Sequence, residues 1–214
     1  GIYNRANMLV SLPTYNISVA VARVFFPYIA RIQHDIERFK QVYVKAATLS
    51  SLIYIPLCLG MIPAAREITL VILGDKWVDG IPVFQMLAIA MMFHFASMFP
   101  GQCGDALKHL RERTIVLLLT IPVMAAAIAG LLSSDMVGAA AGFAIGQAFR
   151  FGVYMWLIRR WIAPTSYEYA HMFFPGLVIG LAVMLVVGIV HTLVQLSPLI
   201  LKLMLEILAG GAIY

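Results

Sequence analysis

Apolar residues gather along this chain into seven runs, near Tyr3–Ile29, Val42–Ala65, Ile81–Pro100, Thr114–Leu132, Met136–Ile158, Met172–Thr192 and Pro198–Tyr214. Each approaches the about 20 mostly apolar residues that a helix needs to cross a hydrocarbon core of ~30 Å. No alternation of period two competes with them, so strands are not expected. The pattern predicts an all-α integral membrane protein, a multi-span bundle of about seven transmembrane helices. The last of these looks truncated.

The polar connections add a second, independent signal. Arg31, Arg38, Lys40 and Lys45 follow the first run. After the second come Arg66 and Lys76, offset by Glu67, Asp75 and Asp79. Lys108, Arg111 and Arg113 follow the third, and Arg159 and Arg160 the fifth. The connections around Ser133–Asp135 and His191–Ser197 carry no Lys or Arg. Basic-rich and basic-poor connections therefore alternate. Cytoplasmic loops of membrane proteins carry the excess of Lys and Arg, which makes the first, third and fifth connections cytoplasmic and puts Gly1 on the outer side. The segment Pro63–Leu73 is too short to span and is expected along the outer surface. Gly74–Gly80 reads as a turn with an interfacial Trp77, and Trp156 and Trp161 flank Arg159-Arg160 as an interfacial belt would.

Composition agrees with lipid as the solvent. Of 214 residues, 62% are hydrophobic types and 12% are charged, against roughly 45–50% and about 25% in an ordinary soluble domain. The net charge of +5 does not point to nucleic acid, because the basic residues lie between apolar runs rather than in one patch. Cys58 and Cys103 both sit in apolar stretches. With no Cys-x-x-Cys and no Cys/His cluster, neither a metal site nor a disulfide framework is expected. The chain begins at Gly1 and stops at Tyr214 within an apolar run, and it reads as a fragment of a longer protein.

Several polar residues fall inside the apolar runs. Asn4, Asn7, Ser11, Tyr15 and Ser18 follow steps of three and four and share one helical face. Such a stripe in lipid faces other helices, where it holds them together, or it lines a water-filled lumen. Arg5 and Arg23 lie in the same run. Arg23 is about 12 Å along a helix from Arg31, within partial reach of the headgroups by snorkelling. Arg150 is deeper, about 13 Å along the helix from Arg159. An arginine near the bilayer centre costs roughly 2.5–3.5 kcal/mol on insertion scales, so it is expected to line a cavity or to pair within the protein. Gln147, Arg150 and Tyr154 are spaced by three and four and share a face. His94, alone in Met91-Met92-Phe93-His94-Phe95, reads as a hydrogen-bonded packing residue. Lys202 and Glu206 read as a local ion pair, and small residues around Gly138–Gly146 as a helix-packing pattern. No nucleophile–base set, paired carboxylates or phosphate-binding glycine loop is legible, so no enzyme and no cofactor are expected.

Gly1-Ile2-Tyr3-Asn4-Arg5-Ala6, Leu12-Pro13 and Arg23-Val24-Phe25-Phe26-Pro27 resemble the polysaccharide-flippase family. This is the Wzx-like O-antigen and exopolysaccharide translocase branch of the multidrug/oligosaccharidyl-lipid/polysaccharide exporter superfamily. The resemblance continues through Ile55-Pro56-Leu57, Leu73-Gly74-Asp75-Lys76-Trp77 and Gln85-Met86-Leu87-Ala88. It covers roughly the first 110 residues, beyond which only hydropathy matches. The chain departs from the family pattern at Asp105-Ala106-Leu107-Lys108, where Lys108 stands at a position usually held by glycine.

The resemblance implies that residues 1–214 are the C-terminal transmembrane half of a transporter of about fourteen spans, with two helical bundles around a cavity that opens alternately to either side. It implies a bacterial plasma (inner) membrane protein whose partners are the bilayer, its own N-terminal half and a polyprenyl-pyrophosphate-linked glycan. Arg23 and Arg150 would meet the phosphates, Asn7, Gln147 and Tyr154 would exchange hydrogen bonds with sugar hydroxyls, and Arg5 would line the same pathway. Two other readings stay open. A cation-exporting multidrug antiporter of the same superfamily would want buried carboxylates. A membrane-embedded glycan polymerase or ligase would want a larger outer loop than these connections offer.

Overall fold

The computed structural model describes the backbone of residues 1–131, 135–193, 207–208 and 210–211, and their side chains except at 12–22, 135 and 193. The described residues form α1 (Ile2–Arg31), α2 (Ile36–Met61), α3 (Ala65–Leu73), a 3-10 helix (Asp75–Gly80), α4 (Ile81–Ala96), α5 (Met98–Ala106), α6 (Leu110–Leu131), α7 (Asp135–Trp161) and α8 (Ser166–Leu193). No strand occurs among them. Five stretches are long and apolar enough to cross a membrane: Ile36–Met61, Asp75–Ala106, Leu110–Leu131, Met136–Trp161 and Ser166–Thr192. They match the second to sixth expected runs. The first run is the 30-residue helix α1. The seventh, with Lys202 and Glu206, lies largely outside the described residues, as does the connection at 132–134.

The helices extend past the apolar runs because their polar ends are capped. Asp35 accepts a hydrogen bond from the Arg38 amide at 3.0 Å, so α2 starts six residues before Val42 and carries Arg38 and Lys40 on its first turns. A reciprocal pair starts α8: the Thr165 amide donates to Glu168 Oε2 at 2.7 Å and the Glu168 amide to Thr165 Oγ1 at 3.3 Å, the two bonds of a capping box. Gly74, at φ 87°, turns the chain out of α3, a conformation that costs glycine nothing. The next six residues coil into a 3-10 helix rather than an open loop. The third span is not one rod. It breaks at Ser97 between α4 and α5 and runs on to Ala106. At its end Lys108 adopts φ 63°, and the His109 amide reaches back to Gly104 O at 2.8 Å. The turn expected from the family pattern thus forms with a lysine in the left-handed conformation.

α4 is the centre of the bundle. It packs against α1, α2 and α7, while α8 lies on α2 and α6 lies on α7. Two close approaches depend on glycine. A Cβ at Gly176 of α8 would lie 2.5 Å from Ser51 O of α2, and one at Gly142 of α7 would lie 2.6 Å from Ile128 N of α6. The small-residue pattern of α7 is therefore a packing surface, as expected. Ser51 Oγ adds an interhelical bond to Met172 O at 2.6 Å. Ile115, Leu118 and Ile121 of α6 and Phe174, Leu185 and Ile189 of α8 are exposed, the apolar outer faces of helices that border lipid.

The ends of the helices sort as the loop charges require. Ile2, Asp79, Pro82 and Met136 border one pocket, so the start of α1, the 3-10 helix and the start of α7 share one end. Phe39, Leu107, Ile162 and Tyr169 meet in one apolar cluster at the opposite end, which carries the basic connections.

Candidate functional site

The described part of the polar stripe of α1, Asn4, Asn7 and Ser11, does not enter the core formed by this chain. The face of α1 buried near its start is Ala6, Leu9 and Val10. Asn4 is exposed, and Asn7 and Ser11 are half-buried beside that face. Tyr15 and Ser18 lie outside the described side chains. Arg23 is exposed. Arg5 is also exposed, and its guanidinium carbon lies 6.0 Å from the centroid of the Trp77 ring, tying α1 to the 3-10 helix at the rim.

The other three candidates come together. Gln147, Arg150 and Tyr154 lie along one face of α7. Gln147 is 5% and Tyr154 3% exposed. Arg150 is half-buried, and its Nη2 lies 3.0 Å from His94 Nδ1 of α4. A guanidinium only donates, so Nδ1 must accept, and the ring is neutral with its proton on Nε2. Gln147 lies beside the same ring. Arg150 Nε has no hydrogen-bond partner among the described residues, and no carboxylate there pairs with Arg150 or His94.

Aromatic rings frame this contact. Phe93 packs on Phe151 with centroids 5.9 Å apart, and Phe151 meets Phe173 edge-on at 5.4 Å. Phe95 stacks on Tyr54 at 4.5 Å. The break at Ser97 follows three residues after His94.

Toward the basic end the polar line continues. The Tyr154 hydroxyl lies against Gly101 of α5, at 3.5 Å from where a Cβ would stand. Tyr154 interacts with Arg113 of α6, and Arg113 forms an ion pair with Asp105 of α5. Arg150, Arg113 and Asp105 together carry one net positive charge, which Glu112 at the end of the line offsets. Trp161 closes it, donating from Nε1 to Glu112 Oε2 at 2.7 Å and stacking on His109 at 4.9 Å. Such a line can bind an anion and offer donors to hydroxyls. It holds no nucleophile beside a base, and no group of three His, Cys, Asp or Glu among the described residues could hold a metal ion.

Comparison with known proteins gives this geometry a context. Residues 1–82 match the family model described as polysaccharide biosynthesis protein. The whole chain aligns at 27% identity with an uncharacterized membrane protein in the cps region of Klebsiella pneumoniae, covering 44% of that protein. Over its first 82 residues the chain is similar to the polysaccharide biosynthesis proteins. Two further relatives match over 42% of the chain and 18% of their own length. They are the lipopolysaccharide biosynthesis protein WzxC of Escherichia coli strain K12, at 30% identity, and the teichuronic acid biosynthesis protein TuaB of Bacillus subtilis strain 168, at 28%. The chain thus spans less than half the length of each of these relatives.

Sequence reasoning missed three features of this structure. His94 was legible as buried but not as the partner of Arg150, which is 56 residues away. The Asp105–Arg113 pair spans a turn, outside the reach of helical spacing rules. Glu67 is fully buried in α3 and lies 3.2 Å from His191 Nδ1 at the end of α8. Its neighbour Arg66 is charged and exposed, so the sequence around Glu67 reads as a polar connection and gave no signal of its burial.

A pocket of about 800 Å³ opens at the Gly74 end. Apart from Asp79 its described lining is apolar, including Ile2, Pro82, Val83 and Met136.

Proposed function

We propose that this chain is the C-terminal bundle of a transporter that moves a lipid-linked glycan across the bacterial plasma membrane, with seven spans and alternating access against a second bundle. The head of such a substrate carries an anionic pyrophosphate and a large polar sugar, and its polyprenyl tail can stay in lipid. Moving the head calls for a cationic, hydrogen-bonding path. The observation that carries the reading is Arg150. It lies about 13 Å along α7 from Arg159, has no carboxylate partner among the described residues, and shares a helix face with Gln147 and Tyr154. The printed roles of relatives, lipopolysaccharide and teichuronic acid biosynthesis and succinoglycan biosynthesis transport in Rhizobium meliloti strain 1021, support a glycan as cargo. Arg5, Arg23 and Asn7 belong to the same path only where α1 borders the second bundle.

A cation antiporter is the second reading. Its support is Glu67, the fully buried carboxylate. That residue sits at the end of the bundle against His191 rather than midway along a span, which favours the glycan.

Arg150→Ala in the full-length protein, with export and membrane abundance measured together, tests the proposal. Losing a charge-assisted contact of about 1.5–3 kcal/mol should lower export at least roughly tenfold at near-normal abundance. Arg150→Lys should recover part of it, because an ammonium keeps the charge but lacks the planar fork. Normal export by a well-expressed Arg150→Ala protein removes the residue from the mechanism.

A further inference from the structure

The contact between Arg150 and His94 is possible in only one protonation state of the imidazole. With Nδ1 accepting from Nη2 at 3.0 Å, the ring is neutral. A proton on Nδ1 would remove the acceptor and set two cations face to face in a site screened by Phe93, Phe151 and Gln147. They could then stay together only with an anion between them, and a phosphate oxygen pair satisfies both donors at once.

We propose that Arg150 and His94 form a two-pronged site for a phosphate-class anion that takes up a proton on His94 as the anion binds. The inference rests on the reading of Arg150 as the phosphate contact and adds to it a second residue and a linked proton. In the state without anion the neutral imidazole caps the guanidinium and keeps its Nη2 satisfied. The incoming anion displaces that bond, accepts from Arg150, and accepts a second hydrogen bond from the newly protonated Nδ1. By linkage, whatever favours the protonated ring favours the bound anion, so binding tightens as pH falls.

The groups around His94 leave Arg150 as the charged group in contact with it. α7 also brings Tyr154, one turn beyond. α2 brings Tyr54, stacked on the neighbouring Phe95. On α1, Arg5 is at Trp77 and Arg23 is exposed. Glu67 of α3 is at His191, Asp105 of α5 is at Arg113, and Asp75, Lys76 and Asp79 of the 3-10 helix are exposed. No described carboxylate is placed to take the part assigned to the anion.

The experiment is calorimetric titration of inorganic pyrophosphate into the full-length protein in phosphate-free detergent, in buffers of differing ionisation enthalpy and across pH. Subtracting the ligand's own titration gives the protons taken up by the protein. Wild type should take up about one proton per bound anion, so affinity should rise by up to about tenfold per pH unit of acidification. His94→Gln keeps a carbonyl acceptor for Arg150 but cannot titrate. It should bind with no such uptake and a flat corrected profile, and Arg150→Ala should not bind. Arg150-dependent binding without proton uptake in wild type, or with undiminished uptake in His94→Gln, overturns the His94 inference and leaves the reading of Arg150 standing. No binding by wild type, or equal binding by Arg150→Ala, overturns both. The wild-type proton count decides the matter even if His94→Gln does not fold. Repeating the titration in phosphatidylglycerol nanodiscs separates two sources of phosphate. A response that persists supports a diphosphate cargo, and one that disappears assigns the site to a phospholipid headgroup and overturns the link to transport.

Discussion

At the scale of single residues, two positions hold conformations or charges that their surroundings must offset. Lys108 sits at φ 63°, where an L-residue with a Cβ pays roughly 1–2 kcal/mol that glycine does not. Lys108→Gly should therefore raise stability by about 1 kcal/mol, while Lys108→Ala should leave it near wild type. Thermal unfolding in detergent distinguishes the two, and equal effects would show that the side chain rather than the backbone matters there. Glu67 is fully buried and lies 3.2 Å from His191. His191→Ala leaves that carboxylate without its imidazole partner and should cost about 1–3 kcal/mol. Combining it with Glu67→Gln should recover part of the loss. A double-mutant cycle that came out additive would show the two residues to be independent. The sequence reading marked Lys108 as the place where a family glycine was missing, and the turn forms there all the same, with the lysine in the left-handed conformation. That reading did not anticipate the Glu67 pair, because burial of a single carboxylate in a nine-residue helix depends on what packs over it.

Among elements, the helix contacts rest on where a side chain is missing. A Cβ at Gly176 would come 2.5 Å from the Ser51 carbonyl oxygen, whereas Gly152 has nothing within 4 Å of the same construction. Gly176→Ala must push α8 off α2 and should cost about 1–3 kcal/mol. Gly152→Ala on the open side of α7 should be neutral or stabilise by up to about 1 kcal/mol. Membrane abundance and unfolding midpoint of the two variants, measured side by side, check the contrast. Helix number and order were largely legible, since hydrophobic runs of this length have few alternatives in lipid. Helix ends were less so. Val42 marks where the apolar run begins, but Asp35 is what caps α2. The break at Ser97 does have a signal in Pro100, which has no amide hydrogen to offer the Ala96 carbonyl four residues earlier and so interrupts the helix in the turn before it. The site followed the same rule: spacing on α7 put Gln147, Arg150 and Tyr154 on one face, while their partners His94 and Arg113 arrive from α4 and α6 and could only be found in three dimensions.

For the whole molecule, the alternation of basic and non-basic connections makes a statement about two sides, and the bundle gives it a physical form. The basic connections collect at one end of the bundle. The opposite end carries the 3-10 helix, the starts of α1 and α7, and the Glu67–His191 pair. Which end faces the cytoplasm is fixed by the positive-inside rule alone. That rule gives a direct prediction. Asp79 and Arg38 are both exposed and stand at opposite ends, so each can carry a reporter without disturbing the core. Cys58 and Cys103 are both free and buried, and replacing them, with any cysteine elsewhere in the full-length protein, gives a background for a single new thiol. In intact cells an impermeant thiol reagent should label Asp79→Cys and spare Arg38→Cys, and permeabilisation should bring Arg38→Cys up to the same level. The reverse result would invert the molecule in the membrane. It would also turn the start of α7 toward the cytoplasm and move Arg159 and Arg160 to the outer surface, with no basic flank left to hold the fifth span. Equal labelling of both sites before permeabilisation would reject the alternation itself, and with it the assignment of α2 as a single crossing.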